Sequence, residues 1–526
     1  MKKILWIGIA TILLLIVIFV LYSIRDRNPG YSLNLTLPQT EDSALSQFQV
    51  GMAKRHITPP IVDSWVDVDS NAVYEPQKGD YYVDENNNSR FDAFWLAGFH
   101  NSRPAMGIHD SLWARTILWD DGRSKIALVV VDAIGMFHDD VIRIRKKISR
   151  SLPEIDHVIV SATHCHEVPD LMGQWGPSLF KRGVNKDYLK FVQNQVAESV
   201  RSAWDNRRPA HIAIGKIDSV EKDLVHDSRP PVVYDDAIRM MKIEDAESGV
   251  LLGILLNYGC HPETLGDKNL YITADFVHYW LSGIENGIFL DDQKIRPGLG
   301  GTAIFANGAV GGLMTGLNCP TFDPWLNKRY DASEESFDKA ATQGYRLADK
   351  VIDYITSGKW ISIEKPQITL RAKTFYLPIK NTHFLLAGLF GLFDRGFHQL
   401  NKVRSEVNVF QIGSAWFITM PGEVNPEIIN GGVETPEERD FPASAVEVPP
   451  LRELSPGTVT FALGLANDEV GYIMPKSHWD RKSPFTYGRK KAMYGETNSA
   501  GPDTGPLFHD QVKQLINSLT IVEDSE

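Results

Sequence analysis

Residues Ile4 to Tyr22 form an unbroken apolar run directly after Met1-Lys2-Lys3, and no other stretch restricts the folding of this chain so sharply. About 19 apolar residues make about 28 Å of helix, enough to cross the hydrocarbon core of a bilayer. A cleaved signal peptide has a shorter apolar region and a small-x-small exit. Here the exit reads Val20-Leu21-Tyr22-Ser23-Ile24-Arg25, a poor cleavage site, and no cysteine follows that could carry a lipid. The run therefore reads as an uncleaved signal-anchor, with a cleaved signal as the alternative. Either places the folded part beyond the membrane. Lys2 and Lys3 favour a cytoplasmic N-terminus, and Arg25 and Arg27 count against that orientation. The expected organisation is a cytoplasmic stub and transmembrane helix over 1–24, a polar tether over 25–47, and one folded body over 48–526. The expected location is a single-pass membrane protein with its body on the extracytoplasmic side.

Composition narrows what that body can be. Hydrophobic residues make up 43% and charged residues 23% of the 526, the mix of a folded globular protein. This excludes a largely disordered chain, a collagen and a polytopic transporter. Lys+Arg 54 against Asp+Glu 66 leaves a net charge of −12. Phosphate binding needs a basic surface, so no nucleic-acid partner is expected. The three cysteines, Cys165, Cys260 and Cys319, cannot build a disulfide framework.

Short apolar runs alternate with helical patterns from Phe48 onward. Residues 126–131 and 158–160 are continuous apolar segments suited to strands buried on both faces. Residues 251–258 and 303–305 read the same way, and 409–420 is another strand region, ending at a Pro-Gly turn. Helical spacing covers Asp139 to Ser149 and about Lys186 to Trp204. The expected fold class is α/β: a layered fold with a mixed central sheet flanked by helices, preceded by one N-terminal transmembrane helix.

Several of these strands end in metal-type ligands. After 158–160 comes Thr163-His164-Cys165-His166. After 251–258 comes Gly259-Cys260-His261-Pro262-Glu263. After 416–420 comes Pro421-Gly422-Glu423. Ligand-binding residues emerge at strand ends in α/β proteins. Two histidines two apart on an extended segment face the same way, which turns Cys165 away from them. Imidazole and carboxylate are common zinc ligands, and three with a water make a catalytic site. On spacing alone, structural hydrogen-bonding histidines remain the alternative.

Several segments resemble the neutral (non-lysosomal) ceramidase family, zinc amidases that cleave N-acylsphingosine. They are Val50-Gly51-Met52-Ala53-Lys54-Arg55-His56-Ile57-Thr58-Pro59-Pro60, Gly107-Ile108-His109-Asp110, Thr163-His164-Cys165-His166, Cys260-His261-Pro262, Pro421-Gly422-Glu423, and Gly464-Leu465-Ala466-Asn467 with Gly471-Tyr472-Ile473. They occur in the family's order from about residue 49 to about 500. The resemblance implies one zinc ion per chain, held by His164, His261, Glu423 and Tyr472. It implies a proton-handling role for His166, and a second tyrosine, Tyr494, lining the site. It implies hydrolysis of an N-acyl amide of a lipid by zinc-activated water, with His166 near its natural pKa of about 6.5. Another amide or ester substrate, and a non-catalytic binding protein on the same fold, are the alternatives.

The sequence also departs from the family. Ala306-Asn307-Gly308-Ala309-Val310-Gly311-Gly312-Leu313-Met314 replaces a Gly-Asp-Val-Ser-Pro-Asn segment, without its aspartate and serine; the nearest hydroxyl is Thr315. The chain ends soon after the tyrosine motif, so the family's immunoglobulin-like C-terminal domain is expected to be absent. Two further features stand outside the resemblance. Asp84, Asn86, Asn88 and Asp92 match a calcium loop at positions one, three, five and nine, without its glycine and its final glutamate; a solvated Asx-turn loop is the other reading. Asp67, Asp69 and Asn71 form a shorter run of the same alternating kind. Residues 384–393 are strongly apolar but too short to span. They read either as a core segment or as a second membrane contact.

Overall fold

The apolar run at 126–131 is buried on both faces, and what covers each face sets the architecture. The structure is a computed structural model that describes residues 2–38, 47–442 and 444–523. The elements that build its layers begin with helix α1 (Lys2–Ser23), strands β1 (Asn34–Leu37), β2 (Gln49–His56), β3 (Trp113–Asp120) and β4 (Lys125–Val131), and helix α2 (His138–Ser151). Next come β5 (His157–Ala162), α3 (Lys186–Asn206), β6 (Arg208–Ile217), β7 (Ile238–Asp245), β8 (Leu251–Tyr258), α4 (Phe276–Asn286), β9 (Thr302–Asn307) and α5 (Phe337–Ser357). The last third holds β10 (Ile368–Pro378), α6 (Thr382–Leu389), β11 (Lys402–Ile412), β12 (Ala415–Thr419), β13 (Glu423–Val424), β14 (Val459–Leu463), β15 (Tyr472–Ile473) and α7 (Thr504–Glu523).

Two mixed sheets result. The larger has the order β9-β8-β7-β6-β2-β3-β4-β5, with parallel pairs only at its two edges, β9 with β8 and β4 with β5. The smaller has the order β1-β10-β11-β12-β14, with β12 and β14 parallel. Period-2 alternation then sorts each run between two cores. Ala127, Val129 and Val131 of β4 face one core, with Val141 and Ile144 of α2, Val192, Val196 and Val200 of α3, Leu281 of α4 and Leu347 of α5. Ile126, Leu128 and Val130 face the other, with Phe410, Phe417 and Phe461 of the smaller sheet. On the far side of that sheet, Val409, Ile418 and Ala462 pack against Phe508, Val512 and Ile516 of α7. The order of layers is helices, sheet, sheet, helices.

Two expectations are corrected here. The fold is layered α/β with mixed sheets, but the larger sheet carries helices on one face only, because a second sheet covers the other. The described part of the 25–47 stretch is no free tether, and 39–46 lie outside the described residues. Asn28 is buried, with its amide donating to Asp139 (2.7 Å) and accepting from Lys146 (2.9 Å). β1 pairs antiparallel with β10, and Leu37 is sealed in the inter-sheet core. Within the strand region at 409–420, β11 and β12 pair as a hairpin.

Candidate metal centre

Four strands end at the same place, and two short ones begin there. His164 follows β5, His261 follows β8, and Glu423 follows β12 as the first residue of β13. β13 pairs in parallel with β15, and that register sets Glu423 beside Tyr472. β5 and β9 lie at opposite edges of the larger sheet, yet the sheet curls until they approach. Asn307, the last residue of β9, straps them together. Its amide nitrogen donates to Thr163 O and to Cys260 O, both at 2.9 Å, and its oxygen accepts from Cys260 N at 3.1 Å. The 306–314 segment thus supplies the tie between the two histidine loops.

The imidazoles are oriented from behind. His164 Nδ1 donates to Ile134 O at 2.7 Å and His261 Nδ1 to Met314 O at 2.8 Å. A carbonyl can only accept, so both Nδ1 atoms carry hydrogen and both Nε2 atoms turn inward. The two Nε2 atoms meet one carboxylate oxygen, Oε2 of Glu423, at 3.4 Å and 3.1 Å. Tetrahedral zinc with ligands at about 2.0–2.2 Å holds its ligand atoms about 3.3–3.5 Å apart, so this spacing fits the ion. His164, His166 and His261 also offer ring nitrogens within 4.8 Å of one another. His164 adopts a left-handed backbone, φ 64°, a region uncommon outside glycine that histidine enters more readily than most.

The charges around this cluster favour a cation. Burial alone would push the His261 imidazolium down, but its hydrogen bond to Glu423 and the charge of Glu263 hold it up to about 9. Burial would raise Glu423, and His164 and His261 hold it far below the usual carboxylate range instead. Tyr472 is buried; that burial and its hydrogen-bonding neighbour Glu423 raise its phenol well above 10. His166 departs from expectation. Burial, then His164 and His261, push it well below 6.5. Neither of its ring nitrogens has a hydrogen-bond partner, although Nδ1 lies 3.1 Å from Glu263 Oε2. An orphaned buried imidazole beside two others is the donor set a metal ion satisfies.

All six expected zinc-site residues, His164, His166, His261, Glu423, Tyr472 and Tyr494, line one cavity of about 520 Å³. Tyr494 sits at its rim, its ring edge-on to Tyr472 at 5.8 Å. Apolar walls come from Phe99, Phe137, Met172, Trp175, Phe384 and Phe393. Sequence reasoning missed two acids there. Glu263 is set two residues after His261, across Pro262, which accepts from the His166 backbone at 3.1 Å. Glu469 is buried, accepts from Gly471 N at 2.7 Å through Oε1, and leaves Oε2 unpartnered. Burial and then Glu423 raise it well above the ordinary value. Cys165 points away, donating to Thr273 O at 3.3 Å, as the alternation predicts.

The second candidate loop folds on its own contacts. Asp84 accepts the backbone amides of Asn88 (3.0 Å) and Ser89 (2.7 Å). Asn86 and Asn88 turn their amide nitrogens, not their oxygens, toward Asp92 (2.7 and 2.6 Å). This is the Asx-turn geometry. The acids that gather nearby are instead Asp67, Asp69 and Asp80.

Comparison with known proteins adds the fold. No protein-family model matches the sequence. Among solved structures, the chain is similar to neutral ceramidase from Pseudomonas aeruginosa (TM-score 0.63, 15% identity, 90% of this chain and 75% of that one). It is also similar to a ceramidase complexed with C2 (TM-score 0.63, 14% identity, 91% and 76%). The fold of this protein is the neutral ceramidase fold, as the short motifs imply.

Proposed function

We propose that this chain is a zinc-dependent amidohydrolase that cleaves the N-acyl bond of a lipid, N-acylsphingosine or a relative. The observation that carries the reading is the convergence of His164 and His261 Nε2 on Glu423 Oε2 at the floor of an apolar cavity, in a ceramidase fold. His164, His261, Glu423 and Tyr472 would hold the ion. When bound, zinc supplies Lewis acidity to a water and to the scissile carbonyl.

The chain's own groups supply the rest. The aromatic walls hold the acyl chain and exclude water from it. Tyr472 can bond either to the ion or to the carbonyl oxygen as negative charge develops there. His166 is neutral, and its Nδ1 faces Glu263. It can therefore take a proton from the attacking water and return it to the leaving amine. This mechanism needs no serine, in keeping with the altered 306–314 segment. We read α1 as the signal-anchor, with the body over 48–526 as the catalytic domain on the extracytoplasmic side.

The test is turnover. The full chain in detergent micelles with zinc is offered ceramide, N-acyl amino acids and simple N-acyl amides, with His164→Ala as control. Release of fatty acid from ceramide, lost in the control, is the expected result. Cleavage of only another amide moves the substrate class. Zinc binding without turnover across the panel favours a binding protein on the same fold.

A further inference from the structure

Leu179 and Phe180 occupy the tip of a tight turn closed by a bridge between Ser178 and Lys181, where polar residues and glycine are the rule. They are 71% and 80% exposed. Lys181 and Arg182 follow at once. A second exposed pair lies on α6 and at its C-terminal end. Leu386 and Phe390 are four residues apart on one face, 43% and 56% exposed, and Gly388 is the helix's only buried residue. Scattered apolar side chains on a surface need no explanation, but these two pairs are neighbours. Arg182 pairs with Asp394 at 2.8 Å just beyond α6, and Leu392 O packs against Gly173 at the start of the turn's loop.

The apolar helix α1 leaves the body at this spot. Asp394 also binds Arg27 at 3.0 Å. Gly391 lies against Ser23, the last residue of α1, and α1 packs on α6. The same two segments supply Trp175, Phe384 and Phe393 to the cavity wall. The foot of α1, the two apolar pairs and the cavity mouth therefore share one face of the molecule.

We propose that this face sits on the lipid leaflet: the Leu179–Phe180 tip and the Leu386/Phe390 face of α6 enter the headgroup–acyl boundary around the foot of α1, and the cavity opens toward the bilayer. Lys181 stands at the level where anionic headgroups lie, as basic residues do beside inserted apolar tips. The acyl chain of the substrate then passes from the leaflet into the cavity without crossing water. This rests on the reading of α1 as a membrane-spanning anchor.

The test uses the full chain reconstituted in vesicles of phosphatidylcholine with a minor fraction of phosphatidylglycerol, some of the lipid being brominated along its acyl chains. Cys165, Cys260 and Cys319 are buried, so an introduced surface cysteine takes an environment-sensitive fluorophore selectively. Four variants are labelled: Phe180→Cys, Phe390→Cys, Ile12→Cys within α1, and Val250→Cys. Val250 is exposed just before β8, at the opposite end of that strand from His261. We expect bromolipid quenching at 180, 390 and 12 to be at least severalfold that at 250. Quenching at 12, with 180 and 390 no more quenched than 250, overturns the seating and leaves the anchor intact. Absence of quenching at 12 overturns the anchor and the seating together.

Discussion

Asn307 has its amide between Thr163 and Cys260, and its loss would strand the carbonyls of both and the amide of Cys260. Each stranded buried group costs roughly 1–3 kcal/mol. Asn307→Ala should therefore lower the denaturation free energy by at least about 2 kcal/mol. It should also weaken zinc binding by about 10- to 100-fold, as loss of an outer-shell support does. Zinc titration of a folded variant with unchanged affinity would reject the strap. His261→Ala should abolish stoichiometric zinc outright, and a metal assay finding one ion per chain would reject the ligand assignment. The clustered histidines were legible because each follows an apolar strand, although His164 takes a left-handed backbone and not the extended one that a period of two assumes. Asn307, Glu263 and Glu469 were not legible. Their roles depend on two sheet edges curling toward each other, and no local pattern records that approach.

At the scale of elements, β1 is the strand that local sequence concealed. Asn-Leu-Thr-Leu after a polar stretch is too short to declare itself, and it becomes a strand only because β10 offers an open edge. Leu37→Ala should cost about 2–5 kcal/mol in chemical denaturation, the range for a sealed leucine; a free tether would show no change. The runs at 126–131, 158–160, 251–258 and 303–305 were legible as strands, being apolar without interruption. What covers them was not. A strand buried on both faces reads the same whether its second face meets helices or another sheet. Glu406 of β11 illustrates how the layers are joined: it takes Arg145 of α2 in a two-pronged pair at 2.6 and 2.8 Å. Burial would raise its carboxyl, and Arg145 and His157 hold it well below 4.5 instead. A depressed acid contributes stability above its unfolded value and loses it as pH falls through the folded value. Glu406→Gln should cost about 3–5 kcal/mol at pH 7 by leaving Arg145 buried and unpaired. The gap from the parent protein should narrow as pH falls below 4.5. A gap that is constant with pH would show that the carboxylate's charge is not what holds α2 to β11.

For the molecule as a whole, the proposed ion is a fold-wide ligand, since its holders come from β5, β8, β13 and β15. Removing it with a chelator should lower stability by about 4 kcal/mol when free zinc had stood near 1,000 times its Kd. A calorimetric midpoint unmoved by chelation would mean that the four strand ends are held together without it. The short segment between α1 and the first sheet strand has a different consequence. Asp26 is clasped by Arg404 (2.6 and 3.0 Å), Arg27 by Asp394, and Asn28 by Asp139, after which β1 is hydrogen-bonded into the smaller sheet. The body cannot swivel on its stalk. On the proposed reading of α1 as an anchor and of the substrate as a lipid, an enzyme mounted so rigidly would search in two dimensions, with its substrate concentration a mole fraction of the surrounding lipid. Diluting the membrane with inert lipid should slow it, whereas diluting the whole suspension with buffer should not.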